Sequence, residues 1–383
     1  MKIAPSGVLS ASEGLTVFAL ADNMRLKMAI DSKIRLIIEN FGHIKIDDMM
    51  RQALSVNPNS YYQAQETIGA TSDFITAPEI SQLFGETIGF WVINRWKELG
   101  APNDFALVEL GPGMGNLMHN LMRVARLEPE FHKAAHIFLF EINKNFIQKQ
   151  KENLEFSGKQ IEWINHIDQL PSKHCIVISN EFFDALPVRQ YIKLKQRWYE
   201  SVLVCDPIDG RLKFDKIELH KALFDQLIHD YPNAEDGAVI EESHESLDIM
   251  RKIAVHVTKF GGACLTIDYG YNIEPAIRSR RQFNSTLQAV KNHQYQPVID
   301  SLGEADLTTH VDFSALKNAA MQNGARNVTI VSQHDFLVNY GILLRHQLLK
   351  NTASEVESKL LDKQLDRLIG KDQMGEIFKV MEF

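Results

Sequence analysis

The chain has 383 residues, of which 45% are hydrophobic, and this is ample for one large domain or for one domain with sizeable additions. Its formal net charge of −8 and its lack of a basic block argue against a nucleic-acid partner, because phosphate contacts need clustered Lys and Arg. No apolar run approaches the roughly 20 residues of a membrane span, so none is expected.

Residues 1–22 are loosely apolar but interrupted by serine, glycine and glutamate, which predicts a flexible extension without a signal-peptide core. They also lack the arginine-rich amphipathic character of a mitochondrial leader, and we therefore expect a cytoplasmic protein. Apolar residues at helical spacing then predict a helix that ends near Phe41-Gly42. Further on, Thr76 can cap an amphipathic helix with Pro78 in its first turn. Residues 23–100 are thus predicted to form an N-terminal helical cover.

Apolar runs alternate with helical stretches from residue 101 onward, which predicts an α/β domain with a parallel sheet over residues 101–383. The predicted strands of that sheet are 105–110, 135–140, 161–165, 175–179 and 263–267. Between the fourth and fifth strands, residues 190–240 alternate in short runs joined by turn signals, which predicts a β-rich insertion. Two further strand candidates, 327–332 and 377–383, enclose a helical block.

The first strand runs into the most distinctive motif of the chain, Glu109-Leu110-Gly111-Pro112-Gly113-Met114-Gly115. Its glycines let the backbone turn tightly and approach a ligand, and the helical pattern that follows aims its N-terminal amides at the loop. A dinucleotide fingerprint has the spacing G-x-G-x-x-G, whereas this loop has G-x-G-x-G. The alternative is a strand-to-helix turn that needs glycine for geometry alone. With its leading glutamate, the motif resembles motif I of class I S-adenosylmethionine (SAM) methyltransferases, which implies that Glu109 faces the methionine ammonium.

A second acid, Glu141, ends the next predicted strand. A carboxylate in this position can accept hydrogen bonds from both hydroxyls of a ribose. Enzymes that bind NAD use the same arrangement, so Glu141 indicates an adenosine ribose without identifying the cofactor. An exposed glutamate at a strand end is the alternative reading.

Four further segments make a family resemblance specific. They begin at Asp73, Asn180, Ile267 and Ala305, and they read DFITAPEISQLFGE, NEFFDALPV, IDYGY and ADLTTHVDF. With motif I and the closing residues 377–380, they resemble the MidA-type SAM-dependent protein arginine methyltransferases, which are related to the mitochondrial arginine methyltransferase that assists respiratory complex I assembly. The resemblance extends from about residue 34 to the C-terminus.

This resemblance implies a class I SAM-methyltransferase fold, α/β in class, with a Rossmann-like and mostly parallel sheet. An N-terminal helical cover and a β-rich insertion between strands 4 and 5 complete the expected architecture. The implied cofactor is SAM, and the implied substrate is a protein arginine in a respiratory complex I subunit, with symmetric dimethylation as the product. No oligomeric state is predicted.

Two acids, Glu181 and Asp184, follow the fourth strand at the carboxyl edge where an open α/β sheet binds ligands. A carboxylate can hold a guanidinium group by two hydrogen bonds. Glu181 resembles the first acid of the double-glutamate loop of other arginine methyltransferases, but Arg189 and Gln190 stand near the place of the second. The missing acid is Asp184, Glu79 or the pair Glu241-Glu242. Asp184 could instead be a helix N-cap.

The candidate catalytic residues are therefore Glu181, Asp184 and Glu79, and the candidate cofactor-binding residues are Glu109, Gly111, Pro112, Gly113, Gly115, Glu141, Thr76 and Asn180. Asp268 could be catalytic, structural or a substrate contact, and His310 could be a base or a structural histidine. The histidines show no metal-ligand spacing, so no metal site is expected.

Two other classes of protein stay open. One is a non-catalytic assembly chaperone that has kept a SAM-binding fold, and calorimetry with SAM or S-adenosylhomocysteine would distinguish it. The other is an NAD-linked oxidoreductase, which the glycine spacing and the lack of an evident hydride-transfer dyad disfavour. Thermal protection by NAD but not by SAM would favour it.

Overall fold

The computed structural model describes residues 30–56, 60–64, 76–274, 277–278 and 283–383. The predicted extension over 1–22 lies outside these ranges, as do residues 23–29 of the predicted cover and the start of the segment at Asp73. Among the residues that the structure describes, no helix has both the length and the apolar character needed to cross a bilayer.

The N-terminal part is mainly helical, in agreement with the prediction. Its elements are α1 (30–41), β1 (Ile44–Lys45), α2 (Ile46–Arg51) with a π-helical turn after it (Gln52–Val56), α3 (Tyr61–Ala64), α4 (Ala77–Ile80) and α5 (Gln82–Glu98). The sequence predicts one helix after Thr76, whereas the structure has two, because Ser81 is extended (φ −159°) and its side chain accepts a hydrogen bond from the Leu83 amide at 3.3 Å.

Strands and helices then alternate as predicted. The next elements are β2 (Phe105–Leu110), α6 (Asn116–Ala125), α7 (Pro129–Ala134), β3 (Ala135–Phe140), α8 (Lys144–Leu154), β4 (Ile161–Ile164) and β5 (Cys175–Asn180). The insertion and the helix after it comprise β6 (Arg189–Leu194), β7 (Arg197–Cys205), β8 (Leu212–Glu218), α9 (Lys221–Asp230), β9 (Val239–Glu242) and α10 (His244–Phe260).

The remaining elements are β10 (Gly262–Tyr271), β11 (Gln288–Lys291), β12 (Gln294–Gln296), β13 (Asp306–Thr308), β14 (Val311–Asp312), α11 (Phe313–Gln322), β15 (Thr329–Ser332), α12 (Gln333–Asn339), α13 (Ile342–Lys350), α14 (Glu355–Ile369), α15 (Met374–Ile377) and β16 (Phe378–Glu382). The predicted helical block over 335–369 is thus divided among three helices. Strands β11, β12 and β13 form a small antiparallel sheet that the sequence did not predict.

The central sheet has the strand order β15-β16-β10-β5-β2-β3-β4. Neighbours from β10 to β4 are parallel, and β16 is antiparallel to both β10 and β15. This confirms the predicted mostly parallel sheet. From β2 the chain proceeds outward through β3 and β4, and it then returns to place β5 and β10 on the other side. The topological switch point therefore lies between β2 and β5, where ligands bind in open α/β sheets.

Alternate residues of the parallel strands enter two different apolar clusters, as both faces of the sheet are covered. On one face, Leu107 and Ile176 pack in a cluster with Trp91 of α5. On the other, Val108 and Val177 pack with residues of α10 and α11. Because α5 shares this core with the sheet, the helical cover and the α/β part are packed together, and the domain boundary near residue 100 stays a prediction.

The insertion is antiparallel, as predicted, with β6 between β7 and β9 and with β8 beside β7. The sequence did not predict that β1 would join it, pairing Ile44 with Leu203 of β7. This pairing connects the N-terminal helices to the insertion that leaves the sheet after β5.

Candidate active site

A cavity of about 530 Å³ opens at the carboxyl edge of the parallel strands, at the switch point between β2 and β5. The segments that follow β2, β3, β4 and β5 all line it, for example with Gly111, Glu141, Asn165 and Glu181. The candidates from the sequence follow three of these strands, and none of them follows β4. Asn165 could have been identified because it is the last residue of a predicted strand and so lies at the carboxyl edge.

The glycine loop after β2 has a backbone conformation that residues other than glycine rarely adopt. The φ angles of Gly111, Gly113 and Gly115 are +62°, +52° and +80°. A Cβ atom on Gly111 would also lie only 2.8 Å from Cδ2 of Phe182, in the loop after β5. Glycine at this position therefore allows the two loops on either side of the switch point to pack directly against each other.

The Glu109 side chain faces the cavity and is only 3% exposed. Its Oε2 atom has no hydrogen-bond partner among the residues that the structure describes. Burial raises the pKa of Glu109 to about 8, and the nearby Glu141 carboxylate adds to this rise. A buried carboxylate is costly unless a cation pairs with it, so this wall of the cavity suits a positively charged ligand group.

Glu141 is held by its own loop and by one residue that the sequence analysis missed. Its Oε1 atom accepts the backbone N–H groups of Ile142 and Asn143, both at 2.8 Å. The Gln150 Nε2 group donates to Glu141 Oε2 at 3.1 Å and to the Gly113 carbonyl at 2.7 Å, which joins the two cofactor-binding candidates. The signal for Gln150 was a polar residue on the buried face of α8.

The chain turns sharply after β5, at Glu181. This residue has a φ of +48°, which is uncommon for a residue other than glycine and frequent at functional sites. Its Oε1 atom accepts hydrogen bonds from the Ala77 backbone at 3.3 Å and from Asn180 Nδ2 at 3.0 Å. Burial raises the pKa of Glu181 to about 8, and the charges of Asp184 and Glu79 act in the same direction.

Asp184 lies in the same loop, lines the cavity and is 5% exposed. Its Oδ1 atom finds no hydrogen-bond partner within the described ranges, and burial raises its pKa to about 6. No helix begins at Asp184, so the alternative reading of this residue as a helix N-cap is wrong. The loop instead forms a turn in which the Asp184 carbonyl accepts the Thr309 amide at 3.0 Å.

The N-terminal helices supply the other wall. Thr76 and Glu79 line the cavity, and the Glu79 carboxylate accepts the Thr76 backbone N–H at 3.2 Å, so Glu79 caps its own short helix. Burial raises the pKa of Glu79. The Tyr62 hydroxyl donates to Asp306 at 2.8 Å across 244 residues of sequence, and both residues line the cavity. The sequence analysis did not foresee that pair.

The remaining candidates lie elsewhere. Glu241 accepts hydrogen bonds from Gln190, Thr286 and Leu287, and neither it nor Glu242 is among the residues that line the cavity. The His310 ring packs edge-on against Tyr269 at 5.4 Å, and burial lowers its pKa, as expected for a structural histidine. In the described part of the chain, no group of three or more His, Cys, Asp or Glu residues could hold a metal ion.

Most of the titratable side chains that line the cavity are acidic. Within the described part of its wall, the Lys and Arg side chains are Arg51 and Lys252. Arg51 already pairs with Asp48 at 3.0 Å, and Lys252 pairs with Asp168 at 2.7 Å. These cations are neutralised by acids other than Glu109, Glu181 and Asp184.

The fold and this cavity define an α/β protein with a ligand-sized cavity at the switch point of its sheet, and the acids of that cavity suit a ligand with a cationic group. A family model described as "Putative S-adenosyl-L-methionine-dependent methyltransferase" matches residues 87–331, which is more than half of the chain. The chain belongs to this family. It is a SAM-dependent methyltransferase, and its cofactor is SAM.

Individual relatives agree with this assignment. The mitochondrial protein arginine methyltransferase NDUFAF7 of Xenopus laevis is 31% identical over 369 residues, which cover 89% of this chain and 81% of the relative. The human NDUFAF7 is 31% identical over 366 residues, with coverage of 89% and 80%. A Burkholderia thailandensis protein with a crystal structure bound to S-adenosyl-homocysteine is 25% identical in sequence. The two structures align with a TM-score of 0.81 over 94% of this chain and 93% of that one.

These relatives correct one prediction. The NDUFAF7 relatives are named as mitochondrial proteins, and the cytoplasmic location expected from the sequence is therefore wrong. That expectation rested on the charge pattern of residues 1–22, which does not report the compartment in which a chain acts. The comparisons favour neither the chaperone nor the NAD-linked oxidoreductase, and they confirm the class of enzyme and the cofactor.

Proposed function

We propose that this enzyme transfers the methyl group of SAM to an arginine side chain of a protein substrate. The observation that carries the proposal is the pair of acids Glu181, which is half-buried, and Asp184, which is buried; both line the cavity beside the glycine loop. No Lys or Arg of the described chain forms an ion pair with either acid. A guanidinium is permanently charged and planar, so it can supply the missing positive charge and bind two carboxylates at once.

The family resemblance supports cofactor roles for the remaining candidates, and all of them except Gly115 line the cavity. We propose that Glu109 pairs with the methionine ammonium, that Gly111, Pro112, Gly113 and Gly115 lie under the ribose and methionine, and that Glu141 accepts the ribose hydroxyls. Thr76 and Asn180 would close the methionine end. The unpartnered Oε2 atom of Glu109 supports this fit, because it offers a buried acceptor to a cationic group.

When bound, SAM supplies a methyl group on a sulfonium, ready for in-line displacement. The protein residues would then hold the acceptor nitrogen in line and exclude water. Glu181 and Asp184 would localise the guanidinium charge on one nitrogen and so raise the nucleophilicity of the other. The proton released from the methylated nitrogen passes to a carboxylate and then to solvent. Glu79 would shape the site while it caps α4.

The proposal is tested with labelled SAM in a protein extract, followed by mass spectrometry of the labelled residues. We expect label on arginine with the wild-type enzyme. Glu181→Gln should bind SAM but lose most of its methyl transfer, at least about tenfold, because the guanidinium loses a charged partner. Label on another residue type, or unchanged turnover of the variant, would contradict the proposal.

A matched control is Glu245→Gln. Glu245 also lines the cavity, but its side chain is 43% exposed and lies 3.7 Å from the Arg51 guanidinium. Its replacement removes one acid from the wall without touching the acid loop, and turnover should be retained. The same spectra separate monomethyl from symmetric dimethyl arginine. From the family resemblance we propose symmetric dimethylation and a respiratory complex I subunit as the target.

A further inference from the structure

Asp268 of β10 is fully buried and is not among the residues that line the cavity. Its Oδ2 atom accepts three successive backbone N–H groups, those of Phe182 at 3.2 Å, Phe183 at 3.0 Å and Asp184 at 3.2 Å. Its Oδ1 atom accepts the Tyr269 amide at 2.9 Å. A single side chain from the neighbouring strand therefore binds three successive backbone N–H groups of the loop that carries both candidate acids.

This loop needs such a partner because it leaves the sheet at a sharp turn. The last sheet-like hydrogen bond before it runs from the Glu181 amide to the Ile267 carbonyl at 3.0 Å. After the positive φ of Glu181, the next three N–H groups donate to the Asp268 side chain instead of to a strand backbone. Buried N–H groups without acceptors are costly, and several N–H groups that converge on one point form a site for an anion.

The geometry points to Asp268 as the positioning residue of the acceptor site: its carboxylate fixes the turn that places Glu181 and Asp184 at the cavity. This inference rests on the proposed function for the identity of the acceptor, but not for the position of the loop. Asp268 acts through the loop backbone, since it does not reach the cavity itself. The sulfonium side of the site, formed by the glycine loop, does not contact it.

An amide cannot replace this carboxylate. In one orientation, the NH2 group of an asparagine would face the three N–H donors of the loop. In the other, it would face the Tyr269 amide. In either case at least one buried N–H group loses its acceptor, although the shape of the side chain is unchanged. Asp268→Asn therefore releases the loop with the smallest possible change in packing.

The experiment compares Asp268→Asn with Thr266→Val. Thr266 lies two residues away on the same strand and is also buried, and its hydroxyl contacts the Ser179 hydroxyl at 3.2 Å and the Cys264 thiol at 3.9 Å but no amide of the loop. We expect hydrogen exchange at the amides of residues 182–184 to become at least about tenfold faster in Asp268→Asn and to stay unchanged in the control. Affinity for S-adenosylhomocysteine should stay within about twofold in both variants.

Steady-state kinetics supply the functional readout. With labelled SAM and saturating protein extract, Asp268→Asn should lower kcat by at least about tenfold at an unchanged KM for SAM, because misplacement of positioned groups mainly affects the transition state. Unchanged exchange at residues 182–184, or unchanged kcat, would overturn the inference. If kcat falls but the label proves not to be on arginine, the positioning role stands and the proposed acceptor is wrong.

A further test uses the wild-type enzyme and therefore does not require that any variant folds. The amides of residues 182–184 should exchange at least about tenfold more slowly than those of the exposed turn at residues 209–210, although Phe182 is only half-buried. Fast exchange of these amides in the wild-type protein would by itself refute the anchoring by Asp268.

Discussion

From the proposed role of Glu109, we expect its buried carboxyl to couple cofactor binding to the release of a proton. Because the pKa of Glu109 is about 8 in the ligand-free site, roughly nine-tenths of the molecules carry it protonated at pH 7. The methionine ammonium proposed to pair with it needs the carboxylate. Binding therefore requires ionisation, and the ligand supplies the charge that makes ionisation favourable.

The size of this coupling follows from the pKa. Ionising a carboxyl with a pKa of about 8 costs about 1.4 kcal/mol at pH 7 and about 2.7 kcal/mol at pH 6. The charged form is lost as the pH falls, so affinity must fall with it. The apparent Kd for S-adenosylhomocysteine should decrease about tenfold from pH 6 to pH 7, about fivefold from pH 7 to pH 8, and less than about twofold from pH 8 to pH 9.

Isothermal titration calorimetry with S-adenosylhomocysteine measures both the apparent Kd and the number of protons released on binding. In two buffers of different ionisation enthalpy at pH 7, the difference in heat should correspond to about 0.9 proton released per ligand. Glu109→Gln should abolish the release and flatten the pH dependence. Glu181→Gln should retain both, although burial raises the pKa of Glu181 to about the same value. Affinity that is constant between pH 6 and pH 8, or proton release that survives in Glu109→Gln, would refute the assignment of Glu109.

Two further predictions concern the cofactor loop and its support. Gly113→Val should weaken binding of S-adenosylhomocysteine at least about tenfold, because a β-branched residue at a φ of +52° costs about 1–2 kcal/mol and its side chain projects from the loop. Gly210→Val, at a φ of +71° in an open exposed turn, should leave that affinity unchanged. An equal loss of affinity in both variants would mean that backbone strain, and not the position of Gly113, causes the effect. Gln150→Leu should also weaken binding about tenfold, because Glu141 loses a charge-assisted hydrogen bond. Gln148→Leu, exposed on the same helix, is its control in the calorimeter, and an unchanged Kd for Gln150→Leu would exclude its supporting role.

Much of the fold could be predicted because buried parallel strands are long apolar runs. The bounds of β2 and β3 agree with the prediction to the residue, and β4 and β5 differ by one residue. The pattern of apolar residues did not predict features that depend on a single side chain. The apolar spacing continues across Ser81, which conceals the break between α4 and α5. Strand β1 is two residues long and pairs with a strand far along the chain, so no local signal marks it.

Some residues of the candidate site could likewise be predicted from the sequence, whereas others could not. Glu109, Glu141, Glu181 and Asp184 could be brought together from sequence alone, because carboxyl ends of parallel strands meet at one edge. Their roles stay proposals. Asp268 is a candidate in the sequence, but its hydrogen bonds to the loop could not be predicted, and neither could the contact of Gln150 with Gly113 or the pair of Tyr62 with Asp306, since each joins residues distant in sequence. Local patterns report which face of an element is buried, but not which polar group it meets there.

Two loops and strand β10 contact one another at the switch point. The absence of a side chain at Gly111 lets Phe182 pack against the glycine loop, and the Phe182 amide is in turn bound to Asp268 on β10. Methyl transfer needs the donor carbon and the acceptor nitrogen aligned to within a fraction of an ångström. In this enzyme, that alignment would come from adjacent strands of one sheet, because β10, β5 and β2 are hydrogen-bonded neighbours. The proposed acceptor acids and the glycine loop therefore follow neighbouring strands at one edge of the sheet.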